Sequence, residues 1–381
     1  MNAPFKAPTV PSNEPPLWDL SDLYSSRQDA RIAADLDRGR AAVAELNTLQ
    51  GSLIGSRADP AVLGAKLAKA IALYEQATEA LGGLGAYAFL AASTARDDAE
   101  ANGFEADIRE KMTAIATPTV WLTLEINQLE DAEIDAALTA DADAATWRPW
   151  LRRVRAMKPH ELSQELETYL AEHSPISAQW SRLFDETLAA LRADVGKEKL
   201  TLAETLNRLS DPKAARRKAA AEGLSTALAA RASTMALVMN TTAADKALED
   251  KWRGFKRPAD GRHLGNEVHG EAVDAMAEAV VAAYPRLSHR YYALKAKAMG
   301  KTTLDQWDRN APLETSAPRG FDWLQGKAMV LDSFADLGPE FADRAGRFFD
   351  NPWIDGRARP GKQSGAYAHP VTADRHPYVF L

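Results

Sequence analysis

Apolar residues recur along most of this chain at spacings of three, four and seven, the signature of helices that each cover one face. Residues 28–50 place Ile32, Leu36, Val43 and Leu46 on such a face. Asp59-Pro60 predicts the start of the next helix, an N-cap followed by proline in the first turn, and Gly82-Gly83 predicts its interruption. Residues 84–95 read as an alanine- and aromatic-rich buried segment, and 98–130 as a long helical stretch bent at Pro118. Lys158-Pro159 predicts a break, because the residue before proline disfavours the helical region. Ser210 or Asp211 caps a further helix, with Pro212 just inside it. Residues 270–299 predict one long amphipathic helix, with Val273, Met276, Val280, Tyr284, Leu287, Tyr291 and Leu294 on one face.

The pattern changes after Gly300. Glycine and proline become dense from 352 to 377, helical periodicity fades, and "SGAYAHP" and "PYVFL" read as short strands. The expected fold class is mostly α, with a small β element near the C-terminus and strand confined mainly to 352–381. No repeat of fixed period occurs, which argues against a helical solenoid. A change of texture at "DVGKEKLT", near 195–201, marks the expected domain boundary.

Composition narrows the function classes. A net charge of -7 argues against a nucleic-acid partner, since phosphate neutralisation needs a basic surface. No cysteine occurs in the 381 residues, which removes disulfides, thiolate metal sites and cysteine nucleophiles. No run of about 18 apolar residues is present, so no membrane partner is expected. The lead "MNAPFKAPTVPSNEPP" has five prolines and no signal-peptide core. Residues 1–17 are read as a disordered lead of a cytoplasmic protein.

Candidate chemistry is sparse. Walker-type, G-x-G-x-x-G and G-x-S-x-G motifs are absent. None of the seven histidines has another four residues on, so the two-histidine helical zinc motif is missing. His263 and Glu267 have that spacing but straddle Gly265, and read as a polar loop or cap. "HELSQELE" from His160 reads as an exposed helix start, and Arg216-Arg217-Lys218 as a solvated helix face. "HRYYALKAKAMG", 289–300, reads as core packing with lysines reaching to water.

Several stretches together resemble the bacterial oligoendopeptidase F peptidases, relatives of thimet oligopeptidase. They are "WDLSDLY" at 18–24, "KPHELSQELETYLAEHSP" at 158–175, "RHLGNEVHGEAVDAMAEAVVAAYPRLSHRYYALKAKAMG" at 262–300, "LDQWDRNAPL" at 304–313, "GKQSGAYAHP" at 361–370 and "HPYVFL" at 376–381. The resemblance runs in order over almost the whole chain. It implies a multi-helix N-terminal domain over 18–197 and the first part of a thimet-oligopeptidase-like helical catalytic domain over 198–381.

The resemblance also implies a zinc metalloendopeptidase acting on short peptides, with two histidines of H-E-x-x-H and a later glutamate as zinc ligands. No residue of this sequence matches those ligands or the catalytic base. The chain is therefore expected to end short of the zinc helix, with no catalytic and no metal residues, no zinc bound and no activity alone. What the resemblance does place here is the edge strand that pairs with an extended peptide. By chain order this is Gly365, Ala366, Tyr367 and Ala368, where small residues let a peptide backbone approach; the residues alone fit a plain structural hairpin as well. A non-catalytic helical peptide-binding or interaction protein is the alternative.

Overall fold

The computed structural model describes residues 13–313, 320–363 and 365–381. Most of the presumed lead, residues 1–12, lies outside the described residues. The helices run in order as α1 (Ala30–Asn47), α2 (Pro60–Ser93), α3 (Ala99–Ala116), α4 (Val120–Gln128), α5 (Asp131–Ala140), α6 (Ala142–Thr146), α7 (Arg148–Met157) and α8 (Gln164–Ala189). A hairpin of β1 (Arg192–Val195) and β2 (Glu198–Thr201) follows. Then come α9 (Leu202–Arg208), α10 (Ala214–Ala229), α11 (Ala232–Arg253), α12 (Asp260–Gly265), α13 (Gly270–Ala283), α14 (Arg290–Ala298), α15 (Trp323–Ala335) and α16 (Pro339–Asp350). Three short strands close the chain: β3 (Ile354–Asp355), β4 (Tyr367–His369) and β5 (Tyr378–Phe380). Among the described residues the fold is helical with two small sheets.

The chain divides into two units. The first gathers three separated segments, up to Glu45, Leu73–Ala116 and the residues after the described gap at 314–319. Its core holds Leu36 and Val43 of α1, Leu81, Leu84 and Leu90 of α2, Ile108 and Ile115 of α3, and Tyr378 of β5. Burial of such side chains stabilises by roughly 1.5–3 kcal/mol each. α2 is unbroken through Gly82 and Gly83, which corrects the expected interruption. The glycines of this stretch serve close packing: a Cβ at Gly85 would meet Met112 at 2.9 Å. Residues 13–17 run along the strand end, where Pro16 O accepts from Gly356 N at 2.9 Å.

The second unit comprises Leu46–Ala72 and the residues from Thr117 to the gap. Here the buried Glu125 of α4 accepts the N–H groups of Gly51, Leu53 and Ile54 at 2.7–3.1 Å. It satisfies donors that a helix start leaves open. α8 packs on α11, where Arg253 grips Glu167 with two bonds of 2.7 and 3.0 Å.

The hairpin at 192–201 is strand where almost continuous helix was expected. Gly196, at φ 66°, takes the left-handed place in its turn. The stretch at 270–299 is also not one helix. Pro285 has no N–H to donate, and the chain passes through a wide turn, with His289 N bonded to Tyr284 O five residues back.

Arg217 corrects the reading of a solvated basic face. It is 1 % exposed and donates to Asp308 at 2.6 Å and to the carbonyls of Asp211 and Pro212. Lys295 likewise is buried and donates to Arg309 O at 2.7 Å rather than reaching to water.

Candidate functional site

The candidate residues lie in the first unit, in a three-stranded sheet of order β3-β5-β4. β5 pairs in parallel with β3 and antiparallel with β4. The strand that was expected at 365–368 spans Tyr367–His369. Gly365 precedes it in the left-handed half of backbone space, at φ 107°, and Ala366 leads from that turn into the strand.

The register decides which way β4 faces. Val379 N donates to Trp353 O at 2.8 Å and Leu381 N to Asp355 O at 2.9 Å, so these groups of β5 point towards β3. The intervening Tyr378 and Phe380 turn their backbone groups towards β4, opposite His369 and Tyr367. Alternation along β4 then turns the N–H and C=O of Ala368 away from β5, at the sheet edge. Tyr367 and His369 put their side chains on the covered face. Tyr367 donates to Ser93 Oγ at 2.8 Å and stacks on Phe380 with ring centroids 4.7 Å apart, nearly parallel. His369 stacks on Phe89 at 4.8 Å. Burial pushes the Tyr367 hydroxyl up and the His369 imidazole down, so both favour their neutral forms. Ala368 is exposed on the other face.

The far end of the sheet is charged. Asp355 is fully buried and held by Arg359 with two bonds of 2.8 Å and by Lys362 at 2.7 Å. Burial raises its carboxyl, but the two cations more than offset this and hold it below the usual carboxylate range. On the sheet's inner side, His376 lies flat on Trp353 at 3.7 Å and meets Asp22 at 2.9 Å, while the Tyr378 hydroxyl donates to the same carboxylate.

The residues that fasten the edge strand, Ser93, Phe89, Lys362 and Asp355, were not found by sequence reasoning. Ser93 lies 274 positions from Tyr367, and no local pattern signals that contact.

No three histidine, aspartate or glutamate side chains gather to hold a metal among the described residues. His160 stacks on Phe255, while Glu267, at φ 54°, pairs with Arg153 rather than sharing a helical face with His263. Among the described residues, these side chains do not form a set that fits a zinc ion. In the second unit a cavity of about 950 Å³ opens between α9, α14 and residues 302–310, lined by Leu206, Tyr292 and Trp307. It contains none of the candidate residues.

A family model described as Oligopeptidase F matches residues 125–192. The oligopeptidase PepF of Bacillus subtilis is 24% identical over 375 residues, covering 96% of this chain and 54% of that protein. An oligoendopeptidase F homolog of Lactococcus lactis is 27% identical over 223 residues, 57% of this chain and 37% of that one. The chain is thus similar, over almost its whole length, to proteins of the oligoendopeptidase F family.

Solved structures share the fold of this chain. Oligoendopeptidase F from Enterococcus faecium superposes with a TM-score of 0.67 at 18% identity, covering 84% of this chain and 61% of that one. PZ peptidase A with an inhibitor superposes with a TM-score of 0.70 at 12% identity, covering 95% and 60%. The chain spans about half the length of the B. subtilis relative.

Proposed function

We propose that this chain is the peptide-holding part of an oligoendopeptidase F-type zinc metallopeptidase that acts on short peptides in the cytoplasm. The observation that carries the reading is the outward-turned backbone of Ala368 on an edge strand. An extended peptide laid along this edge gains two hydrogen bonds, to the N–H and C=O of Ala368, and extends the sheet by one strand. Gly365 and Ala366 leave room for it where the chain turns into the strand. The buried faces of Tyr367 and His369 keep β4 in place while its free edge is used. In a complete enzyme of this type a bound zinc would supply an acidified water for attack on the peptide bond, and no residue of this chain is assigned to hold it. The residues of this chain bind and orient the substrate.

The test is to purify residues 1–381, titrate them into a pool of fluorescein-labelled nonapeptides, and measure zinc by elemental analysis. Saturable peptide binding with neither stoichiometric zinc nor cleavage of a quenched peptide is the expected result. Stoichiometric zinc with chelator-sensitive cleavage would place the metal site inside these residues and overturn the division of labour. Absence of peptide binding would remove the edge-strand role.

A further inference from the structure

Lys362 belongs to no catalytic set, yet its side chain is only 5 % exposed and its ammonium makes four polar contacts. It meets the Asp355 carboxylate at 2.7 Å, the Asp355 carbonyl at 3.0 Å, the Arg357 carbonyl at 3.3 Å and the Leu381 carbonyl at 2.7 Å. It also sits 4.4 Å from the centroid of the Phe380 ring. That ring stacks in turn on Tyr367. One cation therefore ties β3 to the end of β5 and rests on a two-ring stack that ends in β4. A buried ammonium needs such a set of acceptors, because leaving them unmade costs more than the bonds gain.

The backbone beside Lys362 is fixed independently. Gly361 O accepts from Arg96 N at 2.7 Å, and Gln363 N donates to Ser93 O at 2.9 Å. Ser93 is also the partner of the Tyr367 hydroxyl. The segment leading into β4 is thus pinned to the end of α2 by its main chain and to β3 and β5 by its lysine.

We propose that Lys362 is a positioning residue for peptide binding: it sets the place and stiffness of the β4 edge through Phe380 and Tyr367 without touching the peptide. The proposal rests on β4 being the peptide-binding strand. A structural lysine that only balances Asp355 would stabilise the sheet equally, and the two roles separate experimentally.

The variants are Lys362→Met, which keeps the apolar stem, and Asp355→Asn/Lys362→Met, which also removes the carboxylate left facing the methionine. Both are made in residues 1–381. Binding of the labelled nonapeptide pool and amide hydrogen exchange at residues 366–369 are read alongside the urea midpoint. The expected result is tenfold or weaker peptide binding in both variants. Exchange at 366–369 is expected to rise at least tenfold more than elsewhere in the first unit, with the double variant's midpoint above that of Lys362→Met alone. Wild-type binding by the double variant would show that Lys362 serves only to balance Asp355, and would overturn the proposal. A uniform rise in exchange across the unit would overturn it as well. If the wild type binds no peptide, the functional reading fails, while the selective exchange at 366–369 still decides whether Lys362 positions the strand.

Discussion

The Arg217–Asp308 pair is closed to water on both sides, and Lys301 reaches the same carboxylate. A buried pair of this kind is weak evidence of net stabilisation, but breaking it strands a charge, at a cost of about 3–5 kcal/mol. Asp308→Asn is expected to lower the urea stability of the second unit by that order. Arg217→Met/Asp308→Leu is expected to recover most of it. A loss below about 0.5 kcal/mol for the single variant would show that the pair is not desolvated as described. His369 supports a second prediction. Burial holds its folded pKa below the unfolded value, about 6.5. Its contribution is fully present above about pH 6.5 and is lost as pH falls towards the folded value, because there the unfolded chain binds a proton that the folded one refuses. His369→Gln is expected to remove this slope. It should leave the acid limb of Asp355, whose contribution is present above about pH 4 and lost as pH falls through its lowered value. Equal slopes for variant and wild type between about pH 4.5 and 8 would refute the assignment.

At the level of elements, β4 has two sides with opposite demands. Tyr367 turns its N–H towards β5 and its ring onto Phe380. Tyr367→Pro is expected to destabilise the first unit by ~3–5 kcal/mol, through loss of a buried aromatic and a ladder donor. Ala368 turns its N–H outward, where proline is tolerated at a sheet edge. Ala368→Pro should therefore shift the urea midpoint by less than about 1 kcal/mol while weakening peptide binding tenfold or more, by removing the donor that the peptide needs. Equal destabilisation by the two prolines would mean the register is misassigned. The strand itself was legible, because glycine and proline density and the run Tyr378-Val379-Phe380 mark the end of helical periodicity. Its boundary was misplaced by two residues at the start, since Gly365 reads as a small strand residue when its backbone is in fact left-handed. The β1–β2 hairpin was seen only as a change of texture. Its strands are four residues each and half exposed, too short for alternation to outweigh the helices around them. The Arg217 pair and the Ser93–Tyr367 bond were invisible for a different reason: each joins positions about 90 or more residues apart.

The whole chain leaves a large amount of apolar surface uncovered. Of the face predicted along 270–299, Met276, Val280, Tyr284, Leu287, Tyr291 and Leu294 are all exposed, and no residue of α13 is buried. Side chains of this kind gain roughly 1.5–3 kcal/mol each on full burial, so their exposure forgoes stabilisation. The pattern was therefore legible as amphipathic, while the exposure of its apolar face was not. The physical consequence can be measured on residues 1–381 alone. The chain should bind bis-ANS in its folded state and should self-associate with rising concentration and salt, since its charge of -7 is then screened. Met276→Glu/Leu287→Glu is expected to reduce dye binding and association several-fold. It should move the urea midpoint by less than about 0.5 kcal/mol, because exposed side chains contribute little to folding. Light scattering with a dye titration separates the outcomes. A large loss of stability in the double variant would mean these side chains are packed in solution. Unchanged dye binding would place the exposed apolar surface elsewhere, with Phe334 of α15 and Leu337 of the turn after it the next residues to substitute.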